Sequence, residues 1–295
     1  MKQLMSVVLL LCVSVVSRSQ FSDNKIWTKE LGFSINAMNC NTDIGGQTVD
    51  VKSFRPGGGI YAAVLYRQMA GVRLEGTIGQ VTASDARPGA RNIRKRNLDF
   101  TSTIKEVSLL AEVHPLNIFS KEHTTPALSP YLLAGVGYFG FDPKTKLDGQ
   151  WIYLQPLHTE GEGFPETGRP NYKLSGINFP VGGGLQYNIS ERLVLRGEAV
   201  YRFLNTDYLD DVSTTYIDPN LFDKYLSPDN AILAKRLADR SYAIPEEGTR
   251  TPGSIRGSTK KDAYYSVNIK LGIRLAKSSG SGRTSGRKAQ GCFAF

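Results

Sequence analysis

Tyr265–Leu275 reads YSVNIKLGIRL. Val267, Ile269, Leu271, Ile273 and Leu275 fall on one face. Ser266, Asn268, Lys270, Gly272 and Arg274 fall on the other. Strict alternation with period 2 predicts a strand with one apolar and one polar side. The pattern recurs. In ERLVLRGEAVYRF, Leu193, Leu195, Ala199, Tyr201 and Phe203 oppose Arg196, Glu198 and Arg202. In GVRLEGTIG, Val72, Leu74 and Ile78 oppose Arg73, Glu75 and Thr77. In KEVSLLAEVH, Val107, Leu109, Ala111 and Val113 oppose Glu106, Ser108, Glu112 and His114. Weaker runs cover Glu30–Asn36, Gly58–Arg67, Ser129–Phe141 and Gly176–Asn188, making about eight strands in all.

In a soluble sandwich such a polar face meets solvent, and in a membrane barrel it lines the lumen. Connection lengths separate the two. QMA and NIS are tight links, whereas Ala37–Pro56, Val81–Thr101, Asp142–Ser175 and Asn205–Asp262 are long. HPLNIFSKEHTTPAL is intermediate. Short and long links alternate as they do in barrels with short periplasmic turns and long outer loops. The expected fold is therefore all-β: an eight-stranded antiparallel up-and-down transmembrane barrel. A barrel this narrow is filled by side chains. Arg67, Arg73, Glu75, Glu106, Glu112, Arg196, Glu198, Arg202, Lys270 and Arg274 are expected to pair inside it. Tyr61, Tyr66, Tyr131, Tyr138, Phe139, Phe141, Tyr187, Tyr201, Phe203, Tyr208, Tyr264 and Tyr265 lie near strand ends, as interfacial girdles do.

The N-terminus sets the compartment. MKQLMSVVLLLCVSVVSRSQ has Lys2, an apolar run too short to span a bilayer, and Ser17 and Ser19 before a cut at Gln20. Residues 1–19 read as a cleaved signal peptide, 20–275 as the barrel and 276–295 as a basic Ser/Gly-rich tail. The net charge of +9 alone would admit nucleic acid, but an exported chain does not meet it. Cys40 and Cys292 are expected on opposite sides of the membrane and so unbridged. No Cys/His spacing fits a structural zinc site.

YLLAGVGYFGFDP, WIYLQPLHTEGEG, GGGLQYNISERLVLRGEAVYRFLNTDYLDD and VSTTYIDP together resemble a family of small outer-membrane β-barrels of Bacteroidota, similar in pattern to PorT-like and OmpA-like barrels. The resemblance spans about Leu31–Leu275. It implies a barrel in the outer membrane of a Gram-negative bacterium and carries no assigned activity. It makes outer-membrane lipid and other envelope proteins the expected partners, with a secretion-associated role as a variant.

The chemistry-bearing residues cluster in two segments. LQPLHTEGEGFPE holds His158, Glu160, Glu162 and Glu166; NTDYLDDVSTTYIDPN holds Asp207, Asp210, Asp211 and Asp218. Both fall on the long-loop side and can meet at the barrel mouth. Asp207, Asp210, Asp211 and Glu160 are the candidates for a divalent cation, although their spacing is not that of an EF-hand. His158 with Ser213 and an Asp offers a nucleophile–base–orienter set, but DVSTT is no nucleophile elbow. The third reading is structural: carboxylates and hydroxyls that cap loop amides or pair with Arg196 and Arg202. No cofactor is expected. A non-enzymatic structural, assembly or surface-contact role leads, ahead of a rim-sited enzyme and of a soluble lipocalin-like periplasmic binder. SPDNAILAKRLADRS predicts a helix with Ser227 as N-cap and Ile232, Leu233, Leu237 and Ala238 on one side, covering the mouth, docking a partner or simply solvated. RPGARNIRKRN is a basic outer loop suited to anionic headgroups or polysaccharide, or merely a solvated loop.

Overall fold

A computed structural model describes residues 21–22, 26–45, 51–86, 94–119, 124–125, 127–245 and 247–275. Eight strands form the wall: β1 Trp27–Asn41, β2 Arg55–Tyr66, β3 Ala70–Ser84, β4 Asp99–Val113, β5 Leu128–Gly140, β6 Ser175–Asn188, β7 Leu193–Leu204 and β8 Ala263–Leu275. Every neighbouring pair is antiparallel, and β8 pairs with β1 from Ala263 opposite Asn41 to Leu275 opposite Lys29. The sheet is thus closed, leaving no edge to pair with another chain. The expected barrel is present, with most strands longer than their periodic stretches. At 12 to 15 residues, the strands exceed the roughly 9–11 that cross a bilayer. The excess lies at the outer end.

The wall is apolar outside and polar inside. Ile35 is 68% exposed and Leu132 62%, whereas Arg73, Arg196 and Lys270 are 0% exposed. A soluble protein would invert this, because exposing such an apolar wall to water is costly. Going outward along β3, the outward-facing positions run Val72, Leu74, Gly76, Ile78 and then Gln80, so the apolar band ends before the strand does. At the inner border Trp27 and Tyr66 stand exposed, with ring centroids 5.1 Å apart.

The girdle expectation holds for Tyr66, Tyr138 and Phe203, which are exposed, and fails for Tyr61, Tyr131, Phe139, Phe141 and Tyr264, which are buried. Tyr61, Tyr131, Phe139 and Tyr264 sit at inward strand positions and fill the barrel. Phe141, just past β5, joins the core above it. Arg67 is also corrected. It is exposed in the β2–β3 turn with φ 47°, not in the lumen.

The interior has two layers. The inner one is ionic. Arg196 grips Glu30 through Nε and Nη2 at 2.9 and 3.0 Å and Glu112 at 2.5 Å. Arg73 reaches Glu198 at 3.0 Å, Glu112 at 3.5 Å and Glu75 at 3.6 Å. Lys270 bridges Glu75 at 2.5 Å and Glu198 at 2.8 Å. Arg202 pairs with Glu106 at 2.6 Å, and Arg274 donates to Asn188 at 2.6 Å. Tyr61 and Tyr131 donate to Glu30 and Glu198. Tyr61 fits because Gly272 lies opposite it; a Cβ there would stand 2.3 Å from the Tyr61 hydroxyl. His114 bonds Glu112 at 2.7 Å and so belongs to this network.

Above the ionic layer the inward face turns apolar. Met38, Val81, Phe100, Ile104, Phe139, Leu204 and Tyr264 meet across the bore. On the inner side β4 leads through helix α1, Pro115–Phe119, to β5, and Phe21–Ser22 pairs with Thr124–Thr125.

Candidate functional site: a folded cap on the outer mouth

The long outer connections do not hang free. Their apolar residues continue the upper plug of the barrel: Ile44, Leu98, Phe141, Leu154, Leu157, Phe164, Leu209, Val212 and Phe222 pack with it in one cluster. Three short elements build this cap. Lys144–Leu147 pairs with Gln150–Tyr153 around Asp148 and Gly149, both at positive φ. Asp-Gly between two short strands is a strong hairpin signal that loop-length reasoning passed over. Helix α2 spans Asn220–Tyr225 and helix α3 Pro228–Ala238.

The predicted start of α3 is observed: the Ser227 hydroxyl accepts from the Asn230 amide and Pro228 opens the helix. Its buried side differs from the expected one. Ala231, Ala234, Leu237 and Ala238 are buried, while Ile232 is exposed. Small residues let the helix lie close on the cap core.

The two acidic segments do meet, and their carboxylates accept from loop amides and hydroxyls. Glu160 accepts from the amides of Ser213 at 3.0 Å and Thr214 at 2.9 Å, and from the Thr214 hydroxyl at 2.6 Å. Asp210 accepts from the amides of Ile44 and Val212 at 2.9 and 3.0 Å. Asp211 accepts from Thr159 at 2.6 Å and Tyr172 at 2.5 Å. Asp207 accepts from the Ser213 hydroxyl at 2.7 Å, and Asp262 from the Leu209 amide at 2.9 Å. Buried carboxylates here replace the missing backbone ladder of irregular loops.

None of the three aspartates of the DYLDD run bonds Arg196 or Arg202 through its side chain. The expected pairing with lumen arginines is therefore corrected: those arginines are engaged with Glu30, Glu112 and Glu106. The cations that serve the cap come from the loops instead. Arg256 donates to Glu160 at 3.1 Å and to the Asp211 carbonyl at 2.7 Å. Arg96 holds Asp85 through two bonds and the Asp43 carbonyl. Arg169 donates to the carbonyls of Glu160 and Thr215.

Among the described residues no group of three or more His, Cys, Asp or Glu side chains is arranged to hold a metal ion. His158 caps the short turn Gln155–Leu157 at φ 49°, and its ring lies 5.7 Å from that of Phe164. Ser213 gives its hydroxyl to Asp207. The two are thus engaged separately, not as nucleophile and base.

Crowding acids raises their proton affinity. Burial pushes Asp210 up to about 8, with Asp43 adding repulsion. Burial and then Asp211 push Glu162 up to about 8. Asp207 stands at about 7 and Asp211 at about 6, both mainly through burial. Asp262 is held well above the usual carboxylate range by burial and by Asp210 and Asp207.

Several residues that matter were not singled out from the sequence: Glu30, Asp43, Asp85, Arg169, Arg256 and Asp262. Glu30 carried a signal, as it opens the alternation Glu30, Gly32, Ser34, Asn36. The others sit in loops without period. The basic outer segment turns inward at Arg96, which is buried; Arg87–Ile93, His123, Cys292, the signal peptide and the tail lie outside the described residues.

A profile described as "Domain of unknown function (DUF6089)" matches residues 2–220. No curated protein matches the chain. Among solved structures the chain is similar to Neisserial surface protein A: 8% identity, 85% of this chain and 98% of that one, TM-score 0.38. It is similar to a major outer membrane protein from Thermus thermophilus at 11% identity, 84% and 99% coverage and TM-score 0.37. It is also similar to Ail, the attachment invasion locus protein of Yersinia pestis, at 12% identity, 84% and 97% coverage and TM-score 0.36. Likeness at this level carries no role across.

Proposed function

The chain belongs to the DUF6089 family of domains of unknown function, and we propose that it is a non-enzymatic outer-membrane anchor. A closed barrel holds a rigid cap outside the cell, where the cap contacts other envelope molecules. The observation that carries this reading is the sealed bore: a buried layer of ion pairs beneath an apolar plug shared with the cap. A bore so filled offers neither a channel nor a ligand chamber. That arrangement speaks against a lipocalin-like binder, which needs an apolar cavity and a polar outer wall. It speaks for a fixed display surface, because the cap cannot shift without breaking the plug. Contact with outer-membrane lipid follows from the apolar wall. A part in envelope assembly or secretion, and a place beside PorT-like barrels of Bacteroidota, are the finer parts of this proposal; the resemblance of the LQPLHTEGEG and YRFLNTDYLDD segments supports them.

The test is topological. Single cysteines at Ile232, on the exposed side of α3, and at Arg67, exposed in the β2–β3 turn, are placed in a cysteine-free background. A membrane-impermeant maleimide added to intact cells is expected to label the first and not the second. Labelling of Arg67→Cys but not Ile232→Cys, or of neither after the outer membrane is opened, overturns the reading.

A further inference from the structure

The outer wall of the barrel is hollowed on one side. Across β2, β3, β4 and β5, register partners form two adjacent outward-facing rows. One row runs Gly58, Ile78, Lys105, Gly140. The next, nearer the inner end, runs Ile60, Gly76, Val107, Tyr138. The glycines leave a hollow of about 650 Å³ between Ile60, Ile78, Val107 and Tyr138. The Tyr138 hydroxyl donates to Ser175 Oγ at 2.8 Å, which fixes that side of it.

The fold itself does not ask for glycine at two of these positions. A Cβ at Gly76 would have Ile60 Cγ1 as its nearest neighbour at 3.9 Å, and one at Gly140 the Leu174 carbonyl at 3.7 Å. Both are ordinary contacts. Glycine weakens a strand, and inside one it marks a bulge, a bend or a close-lying ligand. The β3–β4 register runs unbroken past Gly76, so no bulge explains it. A second observation lies beside the hollow. Ile78 is the last apolar outward-facing residue of β3, so Lys105 opposite it stands at the outer border of the apolar band. Lys105 is exposed and has no carboxylate partner among the described residues. The same face continues outward. Thr101, further out on β4, lies opposite Lys144, which lies opposite Tyr153; Lys146 lies opposite Trp151. Register partners share a face, so these lysines and aromatic rings extend one outward strip above the hollow. Lys146 Nζ is 5.0 Å from the Trp151 ring centroid and Lys144 Nζ 5.5 Å from that of Tyr153. Lys144 keeps Asp142 at 3.6 Å, whereas Lys146 is exposed and has no carboxylate partner among the described residues.

We propose that this strip seats one phosphorylated glycolipid of the outer leaflet, with an acyl chain in the glycine hollow, a phosphate on Lys105 and the sugar headgroup against Lys146, Trp151 and Tyr153. An apolar wall alone does not choose among lipids, because all their chains are alike. Within a membrane, close packing and polar contacts make the choice. The hollow supplies the packing. Lys105 supplies a point charge for phosphate at the depth where headgroups begin. Trp and Tyr rings belong at that level, and their flat faces suit the C–H side of a sugar ring. A second copy of the chain fits less well. Its symmetry axis would run along the membrane normal and set Lys105 against Lys105 at one depth, and facing like charges repel. The site deepens the anchor reading and rests on it for the leaflet it faces.

The test uses the full-length protein purified in detergent, so it fails or succeeds apart from the topology experiment. Native mass spectrometry of protein released from micelles reads which lipids stay bound. Bisphosphorylated lipid A is expected to be retained saturably, one per barrel, and phosphatidylethanolamine at least tenfold less. Lys105→Gln, and Gly76→Leu, which fills the hollow, are each expected to lower lipid A retention at least fivefold while migration on unheated gels stays that of the folded barrel. Gly197→Leu makes the same change at an outward position of β7 where a Cβ meets nothing within 4 Å; it is expected to leave retention unchanged. Retention by folded protein that Lys105→Gln and Gly76→Leu both leave unchanged overturns the inference, and so does a matching loss in Gly197→Leu. Equal retention of phosphatidylethanolamine, or of phosphatidylglycerol, which has a phosphate but no sugar, also overturns it. A lipid-free dimer that Gly76→Leu dissociates gives the hollow to a second copy and overturns it too.

Discussion

Arg196 shows what one residue does in this fold. Its guanidinium, 0% exposed, is the only cation contacting Glu30 within 4 Å among the described ion pairs, and it also engages Glu112. Replacing it leaves two carboxylates buried and under-paired, which in other proteins costs about 3–5 kcal/mol. Arg196→Leu is therefore expected to lower unfolding stability by about that much, read from urea titration in lipid vesicles. A loss below about 1 kcal/mol, the scale of an exposed pair, would contradict the network. Which residues line the bore was legible in the sequence. Arg73, Glu75, Glu112, Arg196, Glu198, Arg202, Lys270 and Arg274 all follow from alternation plus loop length. Who pairs with whom was not. Arg196 and Glu30 stand 166 positions apart, and Arg73 and Glu198 stand 125 apart. Period 2 fixes a face; it says nothing about what lies across the barrel.

At the scale of elements, the strands and the cap differ in how far a sequence reveals them. A strand repeats its instruction every second residue. The cap is joined by single long-range bonds, such as Asp210 to the Ile44 amide and Ser258 to Asp43. No local pattern announces these. Only its two local devices were readable: the Ser227–Pro228 helix start, and the Asp148–Gly149 turn, which was missed.

The cap should also respond to pH. Its carboxyls hold protons more tightly when folded than their unfolded values near 4: Asp211 at about 6, Asp207 at about 7, Asp210 and Glu162 at about 8. The folded cap thus binds more protons than the unfolded one. Its stability is full below about pH 4 and falls as pH rises through 6 to 8. Amide exchange over residues 206–214, corrected for the intrinsic rate, is expected to show less protection at pH 8.5 than at pH 5.5. Asp210→Asn should flatten that dependence. Protection that rises with pH would show the carboxylates to be stabilised as anions.

The whole molecule is a closed wall around a filled bore. The fold was decided by two sequence features acting together, strict alternation in YSVNIKLGIRL and the sorting of short from long links. Neither alone separates a barrel from a sandwich. The upper plug was not foreseen, because inward positions such as Phe100, Ile104 and Phe139 break the rule that inward means polar. That break is what lets the loops seat on the barrel as a single body of side chains.

Conductance across a planar lipid bilayer tests the sealed bore most directly. Protein whose folding is first verified by its migration on unheated gels is added to the bilayer at neutral pH under an applied voltage. The filled lumen predicts a flat current trace with no unitary steps. Regular ion-conducting steps from the folded protein would contradict it and return the chain to the class of open pores.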